Sequence, residues 1–492
     1  MKKVFTKEII EKNNNLIVFI LIILSLIGIA FNVLVINSDE LWNFQNNYKI
    51  YNGFEMYNEV NIILTPLIYI LGNSIFKILG ANFLSYRILN ILMNVILFFM
   101  IYIILKKLEF RKRTSLIITM LLLSAFYWII IVGMNYNPLI LVFWIFGIYF
   151  YLKNKKYNSI IQTIIWFLIY FTKQNMAVFY GISLVICEII KKEDIRTKIK
   201  NLTIEIIGFV FLVLISLGVM KINNILDGFI SFSVLGIREF ALENLSINWK
   251  ALMYVVVINM ANLILSINLI KSKTLNVNEE YQLKILNAFA YPLLFMAFPI
   301  VNRYHLIIGN YVAVILLLFL IQKLTKELKI KEKFINVCLF IVVVGSLGNS
   351  VYHFVSWKSE FEEFSVRYNI EKSNPYYGAL FKEGRFENIK IVTNYIKNNT
   401  SKVIIFSGKS AFYNIPLKIN NGILDFPFLG NLGKYGEEGI INELKKLENT
   451  EILIEKDEKE LIDQESLKAR KYIKENFEKI GELEEFEIYY SK

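Results

Sequence analysis

The chain has 492 residues, 55% of them hydrophobic and 15% aromatic, with a mean hydropathy of +0.47; soluble globular proteins average about 45–50% apolar even with glycine counted, so the composition points to an integral membrane protein. The formal charge of +12 argues for nucleic-acid binding only if it lies outside membrane loops, and below it does not. Two cysteines, Cys187 and Cys338, both inside apolar runs, give no basis for a disulfide framework or a thiolate metal site.

The first apolar run, Leu16 to Val35, carries no charge over about 20 residues, enough at about 1.5 Å per residue to cross a hydrocarbon core of about 30 Å. It is longer than the apolar stretch of about 7–15 residues in a cleaved signal peptide, and no small-x-small site follows, so a retained helix is expected. Further apolar windows predict crossings near 84–105, 114–132, 138–152, 158–171, 176–190, 203–220, 250–270, 282–299, 305–322 and 334–355. With 15–37 this makes about eleven, those at 138–152 and 158–171 being short.

With a cytoplasmic N-terminus, the inside loops are KKLEFRKR (106–113), KNKK (153–156), KKEDIRTKIK (191–200), KSKTLNVNEEYQLK (271–284) and QKLTKELKIKEK (322–333), each rich in Lys or Arg. The opposite connections GMNYN (133–137), TKQN (172–175) and VNRY (301–304) carry at most one basic residue each. The positive-inside rule then gives N-in and, after an odd number of crossings, C-out; the Lys-, Ile- and Asn-rich composition suggests an AT-rich genome and a bacterial inner membrane. Much of the basic excess is topology.

Two outer loops are long. The first, 38–83, holds Asp39 and Glu40 and an apolar piece, 61–80, interrupted by Pro66, Gly72, Asn73 and Lys77, which suits a helix on or dipping into the outer surface. The second, 221–249, holds Asp227, Arg238, Glu239 and Glu243. Residues 1–355 form the membrane domain; 356–492 have a soluble composition. In that second part 402–408, 451–457 and 484–491 read as strands, and 385–399 and 465–480 as amphipathic helices, a small extracytoplasmic α/β domain.

Topology places Asp39 and Glu40 on one face with Lys173, Arg303 and His305. Each has an ordinary reading: a solvated helix exit for the acidic pair, a snorkelling side chain for Lys173, headgroup contacts for Arg303 and His305. In order, a membrane helix, an immediate Asp-Glu, about 25 residues rich in Tyr and Asn, a Pro-containing apolar piece and YRILNIL (86–92) resemble the first outer loop of GT-C-fold glycosyltransferases. That superfamily includes protein O-mannosyltransferases, aminoarabinose transferases and lipopolysaccharide-sugar transferases. The resemblance covers roughly 15–190; YNPLILVFWIFGIYFYLK (136–153) and FTKQNMAVF (171–179) are similar to later helices and a Lys-bearing outer turn, and FPIVNRYHLIIGNY (298–311) to a late Arg- or His-bearing turn.

The chain departs from the family in having LTPL (64–67) where a His-Pro-Pro or Lys-Pro-Pro often stands, and amides in GMNYNP (133–138) where many members have an acidic residue. A divalent metal between the loops is therefore poorly supported, since hard cations need several oxygen ligands.

The resemblance implies a GT-C-like bundle moving a sugar from a polyprenyl-phosphate donor to a cell-envelope glycan, lipid or protein, with Asp39 as general base. Lys173 and Arg303, and less directly His305, would face the departing phosphate. Glu40 would orient a cation or a sugar hydroxyl. Arg87 would meet the donor phosphate or snorkel, and Tyr48, Tyr51 and Tyr57 would line a sugar site or belong to an aromatic belt. FLGNLGKYGEEG (428–439) is an acceptor-binding turn or a plain surface loop. No Asp-x-Asp, Rossmann or P-loop fingerprint marks a soluble nucleotide sugar. The rival reading is a transporter or flippase for a polyprenyl-linked or anionic substrate.

Overall fold

The computed structural model describes residues 38–125, 136–153, 157–243, 246–298, 300–328, 371–379, 384–425, 432–456 and 467–492, with single positions 22, 337, 341 and 381. The expected crossings at 15–37 and 334–355, and residues 428–431 of the glycine-rich turn, lie outside this description. So do the side chains of Asp39, Glu239, Glu243 and Arg303.

The protein is mainly helical. The larger helical part comprises α1 (Ser38–Tyr51), α2 (Leu67–Leu79), α3 (Phe83–Lys107), α4 (Lys112–Ala125), α5 (Tyr136–Lys153), α6 (Asn158–Tyr170), α7 (Gln174–Ile190) and α8 (Ile195–Ile222). It continues with α9 (Leu226–Phe229), a π-helical turn (Ile230–Leu235), α10 (Gly236–Glu243), α11 (Trp249–Lys271), α12 (Val277–Leu293), a 3-10 turn (Leu294–Ala297), α13 (Arg303–Gly309) and α14 (Tyr311–Glu327). Among the described residues, α3, α5, α8 and α11 are long and apolar enough to cross a membrane. The short strands β1 (Ser246–Ile247) and β2 (Ile300–Val301) pair in parallel and start α11 and α13 in the same direction.

The helical core centres on Trp144, Tyr151, Tyr180 and Phe289. Aromatic groups this deep need partners for their polar tips. The Trp144 indole donates to the Phe289 carbonyl at 3.0 Å, and the Tyr180 hydroxyl to Gln162 Oε1 at 2.5 Å, while the Gln162 amide donates to the Gly147 carbonyl at 3.0 Å. Gly147 is required here, because a Cβ would lie 2.1 Å from the Tyr180 hydroxyl. At one end of the body α3, α12 and α14 are tied together. Gln282 donates to the Lys107 carbonyl, Gln322 to the Glu109 carbonyl, and Lys323 pairs with Glu279 at 2.8 Å.

Residues 385–492 contain α15 (Arg385–Asn398), β3 (Lys402–Phe406), α16 (Ala411–Leu417), α17 (Gly436–Leu444), β4 (Thr450–Glu455), α18 (Leu467–Asn476), β5 (Glu478–Leu483) and β6 (Phe486–Ser491). The sheet order is β3-β4-β6-β5, with β3 and β4 parallel and the other pairs antiparallel. Alternate residues of a strand face opposite sides. Ile404, Phe406, Ile452 and Ile454 pack with α17 and α18, whereas Val403, Ile405, Leu453 and Ile488 join the cluster containing Phe44, Tyr48 and Tyr86. One sequence expectation is corrected: 465–480 is not a single helix. It ends at Asn476, and 478–483 pairs with β6, where Lys479 reaches Glu487 at 2.7 Å. The polar alternation of β5 gives no apolar period, so cross-strand pairing decides its state.

This α/β unit docks on the larger helical part at named points. The first-turn amides of α3, which lack helical acceptors, are satisfied from outside: Phe83 N donates to the Pro375 carbonyl at 3.0 Å, Leu84 N to Tyr377 at 2.9 Å and Ser85 N to the Asn82 side chain at 3.0 Å. Gly378 follows with φ +86°, and a Cβ there would sit 2.6 Å from Leu84 Cβ. Lys49, in the last turn of α1, pairs with Asp425 at 2.6 Å, both buried, and Asp425 also accepts from Asn414 and Asn421.

Asp425→Ala is expected to cost about 3–5 kcal/mol, because it leaves the Lys49 ammonium buried without its counter-charge. Lys49→Met with Asp425→Leu should recover only part of this, since Asn414 and Asn421 lose their acceptor. Thermal unfolding in detergent of the two single variants and the double variant checks both statements.

Candidate functional site

The acidic pair expected in an outer loop lies in the first turn of α1. Positions 40–49 of α1 are buried throughout. Gly72 allows α2 to approach, since a Cβ there would fall 2.2 Å from Asn47 Oδ1. Glu40 is 0% exposed and bidentate with Arg87: Nε to Oε1 at 2.7 Å and Nη2 to Oε2 at 2.8 Å. Arg87 Nη1 donates to the Gly378 carbonyl at 2.8 Å. Arg87 thus neither snorkels nor extends toward an outside ligand. Its guanidinium is committed to Glu40 and Gly378, and Glu40 is committed to Arg87. Asp39 lies in the first turn of the same helix.

Around α1 several donors are buried without an acceptor among the described residues: Trp42 Nε1, Gln45 Nε2 and Asn61 Nδ2. An unmade hydrogen bond in such a place costs about 1–3 kcal/mol, so donors of this kind suit a ligand bearing many oxygens. Of the tyrosines, Tyr57 is wholly buried and donates to the Leu64 carbonyl at 2.7 Å, Tyr48 is buried, and Tyr51 is 41% exposed. Tyr57 therefore serves the core rather than a binding surface.

Lys173 is delivered to the same region by the turn between α6 and α7. Thr65 Oγ1 donates to the Tyr170 carbonyl at 2.8 Å and Leu67 N to Phe171 at 2.9 Å. Gln174 donates to the carbonyls of Ile63 and Ser233, and the Ser233 hydroxyl to Ile62 at 2.9 Å. Segment 61–67, the 170–174 turn and the π-helical turn thus form one knot, which is why Pro66 starts α2 where it does. The Lys173 ammonium is 5.1 Å from the ring centre of Tyr136 and has no carboxylate partner among the described residues. Tyr136 packs against the cluster that contains Leu41, Trp42 and Tyr86. Burial pushes the ammonium down to about 8.

Lys173 also acts electrostatically on His305. Asn302 Oδ1 caps α13 by accepting from the His305 backbone and from Nδ1, both at 2.9 Å; an amide oxygen only accepts, so Nδ1 carries the hydrogen and Nε2 its lone pair. Of the six residues expected at the site, the structure pairs Glu40 with Arg87, and among the described residues no hydrogen bond joins Lys173 to His305. It places Asp39 on the helix of Glu40 and Arg303 on the helix of His305. Sequence reasoning missed the unpartnered donors of α1, although the run WNFQNN (42–47) in an otherwise apolar neighbourhood signals them. Nothing local signals Lys49–Asp425, whose partners are 376 positions apart. In the glycine-rich turn, Gly433 packs on Phe232 and Gly236, so this part is a docking contact.

Because the Lys173 ammonium loses its proton near pH 8, affinity for a phosphate-headed ligand should fall above that pH, by up to about tenfold per unit. Lys173→Arg should flatten the profile over pH 7–10, since guanidinium stays charged there. Equilibrium binding of a short-chain alkyl phosphate across this range measures it. No known protein-family model matches the chain, and no curated protein matches it as a relative.

Proposed function

We propose that the protein is a GT-C-like membrane glycosyltransferase that moves a sugar from a polyprenyl phosphate to an outer-face acceptor. In this reading the N-terminus is cytoplasmic, about eleven helices cross the plasma membrane, and the C-terminal α/β unit is extracytoplasmic. Its single strongest support is Lys173: a desolvated ammonium without a carboxylate among the described residues, beside His305, held against the segment that follows Asp39 and Glu40. Such a charge is costly unless an anion completes it. The loops grouped as cytoplasmic by charge, 106–113, 271–284 and 322–333, meet at one end of the body through Gln282, Gln322 and Lys323.

In the reaction the bond between the anomeric carbon and the phosphate oxygen breaks, and its electron pair leaves with the phosphate. The acceptor oxygen bonds to that carbon and gives its proton to the Asp39 carboxylate. Lys173, with Arg303, stabilises the growing phosphate charge. His305, with Nε2 as acceptor, orients a hydroxyl. Glu40 and Arg87 act through position, by fixing the helix that carries Asp39. The buried donors of Trp42, Gln45 and Asn61 suit sugar oxygens.

A second reading, transport of a polyprenyl-linked or anionic substrate, is favoured by one observation. Tyr151 contacts both Glu188 and Glu205 inside the bundle, at 3.1 and 3.4 Å, with Lys191 on Glu188; ionisable groups inside a membrane body often mark a path.

Release of free polyprenyl phosphate from polyprenyl-phosphate sugars, with envelope glycan fragments as acceptors, tests the proposal. Asp39→Asn should lower release by about 10²–10⁴-fold while donor binding survives. No release from any donor that binds, or equal release by the variant, removes the transferase reading; substrate flux in proteoliposomes lost in Glu205→Gln would then support transport.

A further inference from the structure

Helix α11 leaves a groove of about 570 Å³ against α13 and the start of α14. Its walls run in step because β1 and β2 are parallel: Asn259 bonds Asn310 and Asn262 bonds the Ala313 carbonyl, each pair 51 positions apart. The lining therefore changes along its length. Where the helices begin it offers Asn248, Lys250 and Tyr254; farther along come Val255, Ile258 and Val314. Among the described residues no carboxylate lines it, and Lys250 has no acidic partner.

A cationic and hydrogen-bonding mouth continuing into an apolar trough fits a lipid with an anionic head, and α11 is otherwise broadly exposed as a lipid-facing helix would be. The far wall is α13, whose Leu306 lies in the groove while its neighbour His305 feels the charge of Lys173. Lys173 and Lys250 are each without a carboxylate partner among the described residues.

We propose that the groove seats the chain of the acceptor, an anionic lipid with a hydroxyl-bearing headgroup held at Lys250, while the donor phosphate lies at Lys173. This rests on the transferase reading. The headgroup hydroxyl oxygen forms the new bond to the anomeric carbon, its proton goes to the base, and the donor phosphate leaves with the electron pair.

Full-length protein in nanodiscs is photolabelled with diazirine-tailed phosphatidylglycerol or phosphatidylcholine, and the labelled peptides are mapped. The glycerol lipid should label α11 and α14 preferentially, by about fivefold, and Lys250→Gln should erase that preference. Val255→Trp should remove the label by filling the trough, and Val210→Trp on exposed α8 should not. Equal labelling by both headgroups, or label on α8 as strong as on α11, means boundary lipid only and overturns the site. Displacement by polyprenyl phosphate but not by unlabelled phosphatidylglycerol assigns the groove to the donor chain and overturns the acceptor role. Labelling needs no turnover, so a protein that labels as expected yet releases no polyprenyl phosphate fails as a transferase while keeping its anionic-lipid site.

Discussion

The arrangement depends first on the buried pair of Glu40 and Arg87. Two charges removed from water repay their desolvation only if the geometry is good and the remaining donors are used. Here two contacts join the ions, and the Gly378 carbonyl takes a third guanidinium hydrogen. The pair therefore requires α1, α3 and the 371–379 segment to be in place together. The same segment supplies the acceptors for the first amides of α3, so its docking and the start of that helix are one event. An Asp-Glu sequence that would otherwise mark a solvated exit becomes the start of a buried helix.

From this follows the position of everything at that end of the body. Helix α1 is fixed at Arg87 and at Asp425, and the 61–67 segment is bonded to the 170–174 turn and to Ser233. Gly72, Gly228 and Gly378 mark the closest approaches; at each, a Cβ would come within 3.0 Å of a neighbouring atom. The opposite end is held by different chemistry, with Glu279 closing a capping box on α12 and accepting from Lys323 of α14. Both ends hold paired charges and capped helices, but the end that holds α1 also gathers loops around buried donors without an acceptor among the described residues.

The helices were legible because apolar run length is a local property. The expected 84–105 and 138–152 became Phe83–Lys107 and Tyr136–Lys153, extended by residues such as Lys106, Lys107 and Lys153 whose charge hides helical continuity from a hydropathy window. The window 305–322 became two helices, parted at Asn310, since an apolar run does not show where a helix restarts. Strands β3, β4 and β6 were visible from buried β-branched runs, whereas the hairpin partner β5 was not, because its residues are mostly exposed and polar. Within the site, side and spacing grouped Lys173 with His305 at the level of sequence. The use of Arg87 on Glu40 was hidden, because composition does not say which carboxylate a buried arginine meets.

The lysines withdrawn from water supply the last step. Lys49, Lys191 and Lys323 are each nearly inaccessible, and each has a carboxylate: Asp425, Glu188 and Glu279. This chain therefore does what burial demands of an ammonium elsewhere in its fold. Lys173 is half-buried, faces the ring of Tyr136 and has no carboxylate partner among the described residues. A cation–π contact offsets only about 0.5–2 kcal/mol, less than an ion pair inside a protein. Among the described residues this ammonium is met by no acid, and side-chain and backbone hydrogen bonds from three separate segments hold its turn in place, which is the arrangement that the proposed anion site requires.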